Sequence, residues 1–183
     1  MVRLSSTHGD PFDYGAMNQL AARVPVGAEG LSILPFGNGA ERILENKTIN
    51  ASFAGLDFNR HTQAHIFRAA QEGIVFSLRY GFDILQGIGL TTNVIRAGNA
   101  NMFLSPLFRE AFVNTTGARL ELFDTHGAKG AALGAGVGAG LYRNFNECFG
   151  GLNVIGHDEA ANDKAEQYLQ AYDNWKSHLN KYI

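Results

Sequence analysis

The chain has one cysteine, Cys148, in 183 residues. An internal disulfide and a cysteine-based zinc site are therefore excluded, and a reducing compartment such as the cytoplasm suits it. A basic excess is also missing, since 15 Lys and Arg against 17 Asp and Glu leave a formal net charge of −2. Such a chain carries no electrostatic footprint for nucleic acid or for an anionic membrane surface. No apolar run approaches the ~20 residues of a membrane span, and the opening MVRLSSTHGD has no signal-peptide core. A soluble, cytoplasmic protein is expected. What is present is a hydrophobic fraction of 45% with only 17% charged residues, the make-up of one globular domain with a real core. Glycine is plentiful, 22 against 4 prolines. It clusters at Gly98, Gly127 to Gly140, Gly150 and Gly151, where it serves turns and close packing rather than a flexible linker.

Taken in order, residues 1–12 are polar and without period and read as a disordered lead-in or chain boundary, with the domain proper over 13–183. Asp13 caps a short helix through Arg23 that turns Met17, Leu20 and Ala21 to one side. Leu31 to Phe36 is an apolar strand running into Gly39, Ala40, Glu41 and Arg42. That loop is either a functional edge or a solvated surface turn. Lys47 to Leu56 forms a further strand. Thr62 caps the longest helix, Gln63 to Gln86, whose Ile66, Phe67, Ala70, Gly73, Ile74, Ser77, Leu78, Gly81 and Leu85 make a buried stripe. Each interior glycine costs about 1 kcal/mol against alanine, so close packing is expected at Gly73 and Gly81. His61 and His65 have a metal-compatible spacing, but no carboxylate or third histidine accompanies them, and no metal site is assigned.

The segment Thr91 to Phe112 organises the rest. Val94 and Ile95 lie in a strand, and Ala97, Gly98, Asn99 and Ala100 then remove bulk where the chain turns. Ser105 and Pro106 look like an N-cap and first helical residue, followed by Leu107, Phe108, Ala111 and Phe112 at helical spacing. The helix starts either near Asn101 or at Pro106. Such a unit is either an ordinary packed βα loop or a ligand-binding edge, because ligands in α/β folds bind outside strand ends. Ala118 to Phe123 alternates as a strand, and the Ala- and Gly-rich 127–142 makes a helix able to lie very near a neighbouring backbone or cofactor. Glu147 to Asp163 reads as loop. A last amphipathic helix, capped by Asn162 or Asp163, points Ala165, Tyr168, Leu169, Tyr172, Trp175 and Leu179 inward.

Four pieces in this order resemble the carboxy-terminal lobe of the FGGY carbohydrate kinases, nearest their xylulose-phosphorylating branch, from about Gly30 to Tyr142. They are LSILPFGNGAER, the long helix with Ala69-x-x-Glu72-Gly73, VIRAGNANMFLSPLFREAF as the adenosine motif, and GAALGAG at 130–136. The resemblance implies a ribonuclease H-like or actin-like α/β lobe, a small mixed sheet flanked by helices. It implies ATP/ADP at Ala97, Gly98, Asn99, Ala100 and Asn101, with Gly39, Glu41 and Arg42 at the cleft or lobe interface. Asn101 could offer its amide to the adenine edge, and Gly98 would let base or ribose rest on the backbone. In the complete enzyme it implies Mg²⁺, D-xylulose or a similar ketose as acceptor, and an amino-terminal lobe as partner. A homodimer is compatible with this reading. Departures are Ala97-Gly98-Asn99 in place of a glycine triplet, an extra turn before Ser105, and Lys129 where many relatives carry an acid. The family's glycine-flanked catalytic aspartate has no counterpart here, so Asp10, Asp13, Asp57 and Asp83 are not assigned as base. The 183 residues alone are expected to be inactive.

Overall fold

A computed structural model describes residues 13–183; the lead-in expected over 1–12 lies outside the described residues. Helix α1, Tyr14–Ala21, is held by its cap, since the Asp13 carboxylate accepts from the Ala16 N–H at 2.7 Å. Strand β1, Ser32–Leu34, is buried along its whole length and pairs antiparallel with β4, Ser52–Ala54. Between them sits a two-residue ladder of β2, Ala40–Glu41, and β3, Lys47–Thr48. The single strand expected over Lys47 to Leu56 is therefore two strands, because β3 pairs with β2 and only β4 returns to β1.

Helix α2, Gln63–Gly87, runs across β1. At Gly73 the helix approaches so closely that a Cβ would lie on the Ile33 carbonyl oxygen, so the expectation of close packing holds there. It fails at Gly81, where the nearest atom to a Cβ is Ile43 Cγ2 at 4.0 Å, an ordinary contact. Strand β5, Val94–Gly98, helix α3, Pro106–Thr116, and strand β6, Arg119–Phe123, form a parallel βαβ unit. Strand β7, Val154–Asp158, closes that sheet antiparallel to β6, which makes it mixed. Helices α4, Gly127–Gly138, and α5, Phe145–Phe149, lie between β6 and β7, and α6, Asn162–Leu179, ends the fold. The loop expected over Glu147 to Asp163 is thus corrected: it contains the end of α5 and all of β7. Val154 and Ile155 are half exposed on this edge strand, which is why no apolar alternation announces it.

The core lies where α2, α3 and α6 meet β1 and the inner face of β5 and β6. Leu34, Val75, Phe108, Leu120, Tyr168 and Trp175 are almost wholly buried there. Of the residues expected inward on α6, Leu169 is 43% exposed and belongs to the outer face. Burial of this much polar aromatic surface requires partners. The Trp175 Nε1–H donates to the Ile33 carbonyl at 2.8 Å, and Tyr168 Oη donates to Glu110 while accepting from Arg68, both at 2.9 Å. Arg68 in turn meets the buried Glu72 carboxylate at 2.7 Å. Burial pushes the Glu72 carboxyl above its usual range, with Arg68 and the Gly27 N–H opposing.

The candidate nucleotide-side cavity

Parallel strands deliver their carboxyl ends to one edge of the sheet, and here Gly98 of β5 stands in register with Phe123 of β6. Beyond them the chain turns sharply: the Asn99 N–H donates to the Phe123 carbonyl at 2.9 Å and the Ala100 N–H to Gly98 at 2.8 Å. Asn101 then adopts a left-handed backbone, φ 53°, and opens a 3₁₀ turn, Asn101–Leu104. Asparagine tolerates this region better than most residues. The helix start is thereby settled, since the 3₁₀ turn begins at Asn101 and α3 proper at Pro106 with Ser105 as cap. The small-residue turn is shorter than expected, Asn99 and Ala100 only, because Ala97 and Gly98 finish the strand. Gly98 also has a reason that the sequence did not show. A Cβ on it would lie on the Thr125 carbonyl oxygen, so the protein's own backbone occupies that approach.

Two anchors fix this turn. Ser105 Oγ accepts from the Phe108 N–H at 3.3 Å and donates to Gln71 at 2.7 Å, and Gln71 passes the chain of bonds to Asn18 at 2.9 Å. Arg109 donates to the Phe103 carbonyl at 2.8 Å and to Asp158 of β7 at 2.9 Å. The turn after β5 is therefore tied to α1, α2, α3 and β7 together.

A cavity of about 680 Å³ opens beside these strand ends. Ala97, Gly98 and Phe123 form its sheet wall, and Thr125, His126 and Gly127 carry the chain into α4 along another side. Helix α5 contributes Phe145, Asn146 and Phe149 to the lining. The rings of Phe145 and Phe149 lie nearly parallel, 10° apart in plane with centroids 6.0 Å apart. Arg96 stands at the rim, paired with Glu121 at 3.1 Å. His126 caps α4, accepting from the Lys129 N–H at 3.4 Å, so the helix directs its unpaired N-terminal N–H groups to this side, where negative charge is favoured. The arrangement offers a flat apolar wall and a positively polarised helix end to one ligand.

Of the residues singled out in the sequence, Ala97 and Gly98 line the cavity; Asn99, Ala100 and Asn101 do not, although they follow directly and Asn99 and Asn101 are exposed. Gly39, Glu41 and Arg42 are not brought to it either. Gly39 leads into β2, Glu41 ends it opposite Lys47, and Arg42 begins the 3₁₀ turn that follows. The cavity residues missed from sequence are Arg96, His126, Phe145, Asn146 and Phe149. The one signal that could have found the last three is FNECF after Asn144, a capped turn with aromatic residues at helical spacing, and Asn144 does cap α5 through the Glu147 N–H at 2.9 Å. The ring nitrogens of His61 and His65 are engaged with Asp57, Thr62 and Glu29. Asp13 caps α1, Asp57 holds a turn through the Asn59 N–H, and Asp83 sits among Arg79, Tyr172 and Lys176.

A mixed sheet built on a parallel βαβ unit, faced by helices and open at its strand ends, is the architecture of the actin-like ATPase-fold kinases. The xylulose kinase of Lactobacillus acidophilus superposes with a TM-score of 0.77 at 20% identity, over 91% of this chain and 34% of that one. The Plasmodium falciparum glycerol kinase with ADP gives 0.68 at 18% identity, over 93% and 34%. In sequence, the xylulose kinase of Haemophilus influenzae is 32% identical over 177 residues, which is 92% of this chain and 35% of the relative. No protein-family model matches. The chain is a homologue of xylulose kinases, and its structural neighbours are FGGY-type carbohydrate kinases. It spans about a third of the length of the Haemophilus relative.

Proposed function

We propose that the chain is the adenosine-binding lobe of a sugar kinase, which in the complete enzyme transfers the γ-phosphoryl group of ATP to D-xylulose and yields D-xylulose 5-phosphate. The observation that supports this most is the coincidence of two things. The strand end expected to meet adenosine, Ala97–Gly98, is also a wall of the 680 Å³ cavity, in a chain homologous to xylulose kinases. Residues 13–183 act as one domain in this reading, and Ala97 to Asn101 clamp the nucleotide. Gly39, Glu41 and Arg42 lie away from this cavity and are left for contact with the amino-terminal lobe.

Phosphoryl transfer needs positioned phosphates, Mg²⁺ on their oxygens and a group that orients the attacking hydroxyl. Mg²⁺ in such sites takes one or two carboxylates beside the phosphates, and the lining of this cavity contains no Asp or Glu to supply one. The chain's own contribution is to hold and orient the nucleotide. The 183-residue polypeptide by itself therefore binds without turnover, and the loss of a general base and of sugar positioning lowers the rate by at least ~10² to 10⁴.

Calorimetric titration of ADP tests the reading. Asn101→Ala removes an uncharged hydrogen bond and should weaken binding by up to about tenfold. Asn101→Gly keeps the left-handed backbone relaxed and separates that loss from strain. Unchanged ADP affinity in both variants would leave Asn101 as turn scaffold only. ATP-dependent phosphorylation of D-xylulose by the purified polypeptide would overturn the view that it supplies only the clamp.

A further inference from the structure

Helix α5 is only five residues long, yet it carries two phenylalanines that are 59% and 38% exposed, Phe145 and Phe149. Two neighbouring exposed rings make a small apolar patch at the edge of a cavity, and a flat ligand can cover such rings without a protein partner. Three observations restrict that ligand. Both rings border the cavity at the strand ends, their planes are nearly parallel, and the lining also holds Gly127 and Gly130, where nothing lies within 4 Å of the position a Cβ would take, which leaves room for a planar group. The same lining includes one cationic residue, Arg96, and the residues that open α4, His126 and Gly127. A ligand with a flat heteroaromatic ring at one end and anionic groups at the other matches this lining.

We infer that Phe145 and Phe149 form a stacking wall for the purine ring of the bound nucleotide, with the Asn146 amide beside them to hydrogen-bond the ring edge. The inference rests on the nucleotide reading above and assigns it residues that Ala97 to Asn101 do not include. Asn146 has both a donor and an acceptor to offer, which suits an adenine edge carrying an amino group next to a ring nitrogen. The stack is held from behind. Asn144 caps α5, the Arg143 N–H donates to Glu147 at 2.8 Å, and Cys148 between the two rings in sequence is buried.

The test uses the 183-residue chain, with ADP and inorganic pyrophosphate as probes in separate titrations. The double variant Phe145→Ala/Phe149→Ala should lose about tenfold or more in ADP affinity, the scale of base–aromatic stacking, and change little in pyrophosphate affinity. Phe149→Trp should retain ADP binding and show quenching of its fluorescence on titration. Should the double variant melt early, Phe145→Leu alone, at the more exposed position, keeps the fold and should still weaken ADP several-fold. Equal loss for ADP and pyrophosphate, or unchanged ADP affinity in Phe145→Leu and the double variant, overturns the stacking wall while the nucleotide reading stands. Absence of ADP binding by the wild-type chain overturns both.

Discussion

Gly73 and Gly81 lie on the same helix and read alike in sequence, yet the structure gives their replacement by alanine opposite signs. Either change gains helix propensity, about 1 kcal/mol. At Gly81 nothing opposes the gain, since Ile43 Cγ2 stands 4.0 Å from the new methyl. Gly81→Ala should therefore stabilise by roughly 0.5–1 kcal/mol. At Gly73 the methyl falls on the Ile33 carbonyl oxygen, a backbone atom of a wholly buried strand that cannot rotate away. Overpacking of this kind costs about 1–3 kcal/mol. The same oxygen accepts the 2.8 Å bond from buried Trp175, so displacing it puts at risk a further 0.5–1.5 kcal/mol or so. After the propensity gain is subtracted, Gly73→Ala should destabilise by about 1–3 kcal/mol. Urea denaturation of the two variants beside the wild type measures the difference, and thermal midpoints should move in opposite directions by some 2–4 °C per kcal/mol. Two stabilised variants would mean that α2 can lift off β1 at little cost, and the argument from close approach would be wrong.

Two other changes probe the polar scaffold. Partial burial works against the charge on Asp83, but the Tyr172 hydroxyl and then Arg79 and Lys176 outweigh it and hold its carboxyl below the ordinary value. A depressed folded value means stability present above pH 3.8 and lost as pH falls through the folded value, so Asp83→Asn should be destabilising at neutral pH and converge on the wild type in acid melts. A constant difference across pH would remove the charge from the explanation. Arg109→Ala should free the Phe103 carbonyl and Asp158, speed amide exchange at Met102 to Leu104 and weaken ADP binding several-fold, with Arg109→Lys intermediate. A loss of global stability with no local change in exchange there would make Arg109 a general brace rather than the residue that positions the turn.

What could be read in the sequence was what periodicity and capping write strongly. The Ser105–Pro106 start of α3, the Asp13 cap and the α6 stripe apart from Leu169 stand as expected. The α2 stripe is corrected: Phe67 and Gly73 of it are buried, Leu78 and Leu85 are exposed, and the buried face also takes Arg68, Ala69, Gln71, Glu72, Val75 and Phe76. A buried ion pair and polar bonds there hide polar residues that hydrophobic periodicity does not count. Strand β7 escaped because an edge strand with Val154, Ile155 and His157 exposed has no reason to alternate. The lining of the candidate cavity was half legible. Ala97 and Gly98 mark it, but Gly98 is small because Thr125 crosses it, which only the tertiary arrangement can show. The aromatic wall escaped for a related reason: Phe145 and Phe149 flank a single turn, too short for a hydrophobic stripe to be recognised.

Helix α4 bears on how this region behaves in time. It contains Gly127, Gly130, Gly134, Gly136 and Gly138, and of these only Gly136 meets a neighbour, the Tyr142 ring. Glycine in a helix interior gives up about 1 kcal/mol to alanine, and this helix recovers little of that through packing, since Gly136 is its one buried residue. Its hydrogen bonds should therefore open well below the global unfolding free energy, as a separate cooperative unit with α5. The cavity takes one wall from each of these two helices, so a ligand bound there must hold both in place. Amide protection along α4 thus becomes a gauge of occupancy, with exchange slowing in proportion to ligand excess while the α2 and α6 amides, limited by global unfolding, respond less steeply.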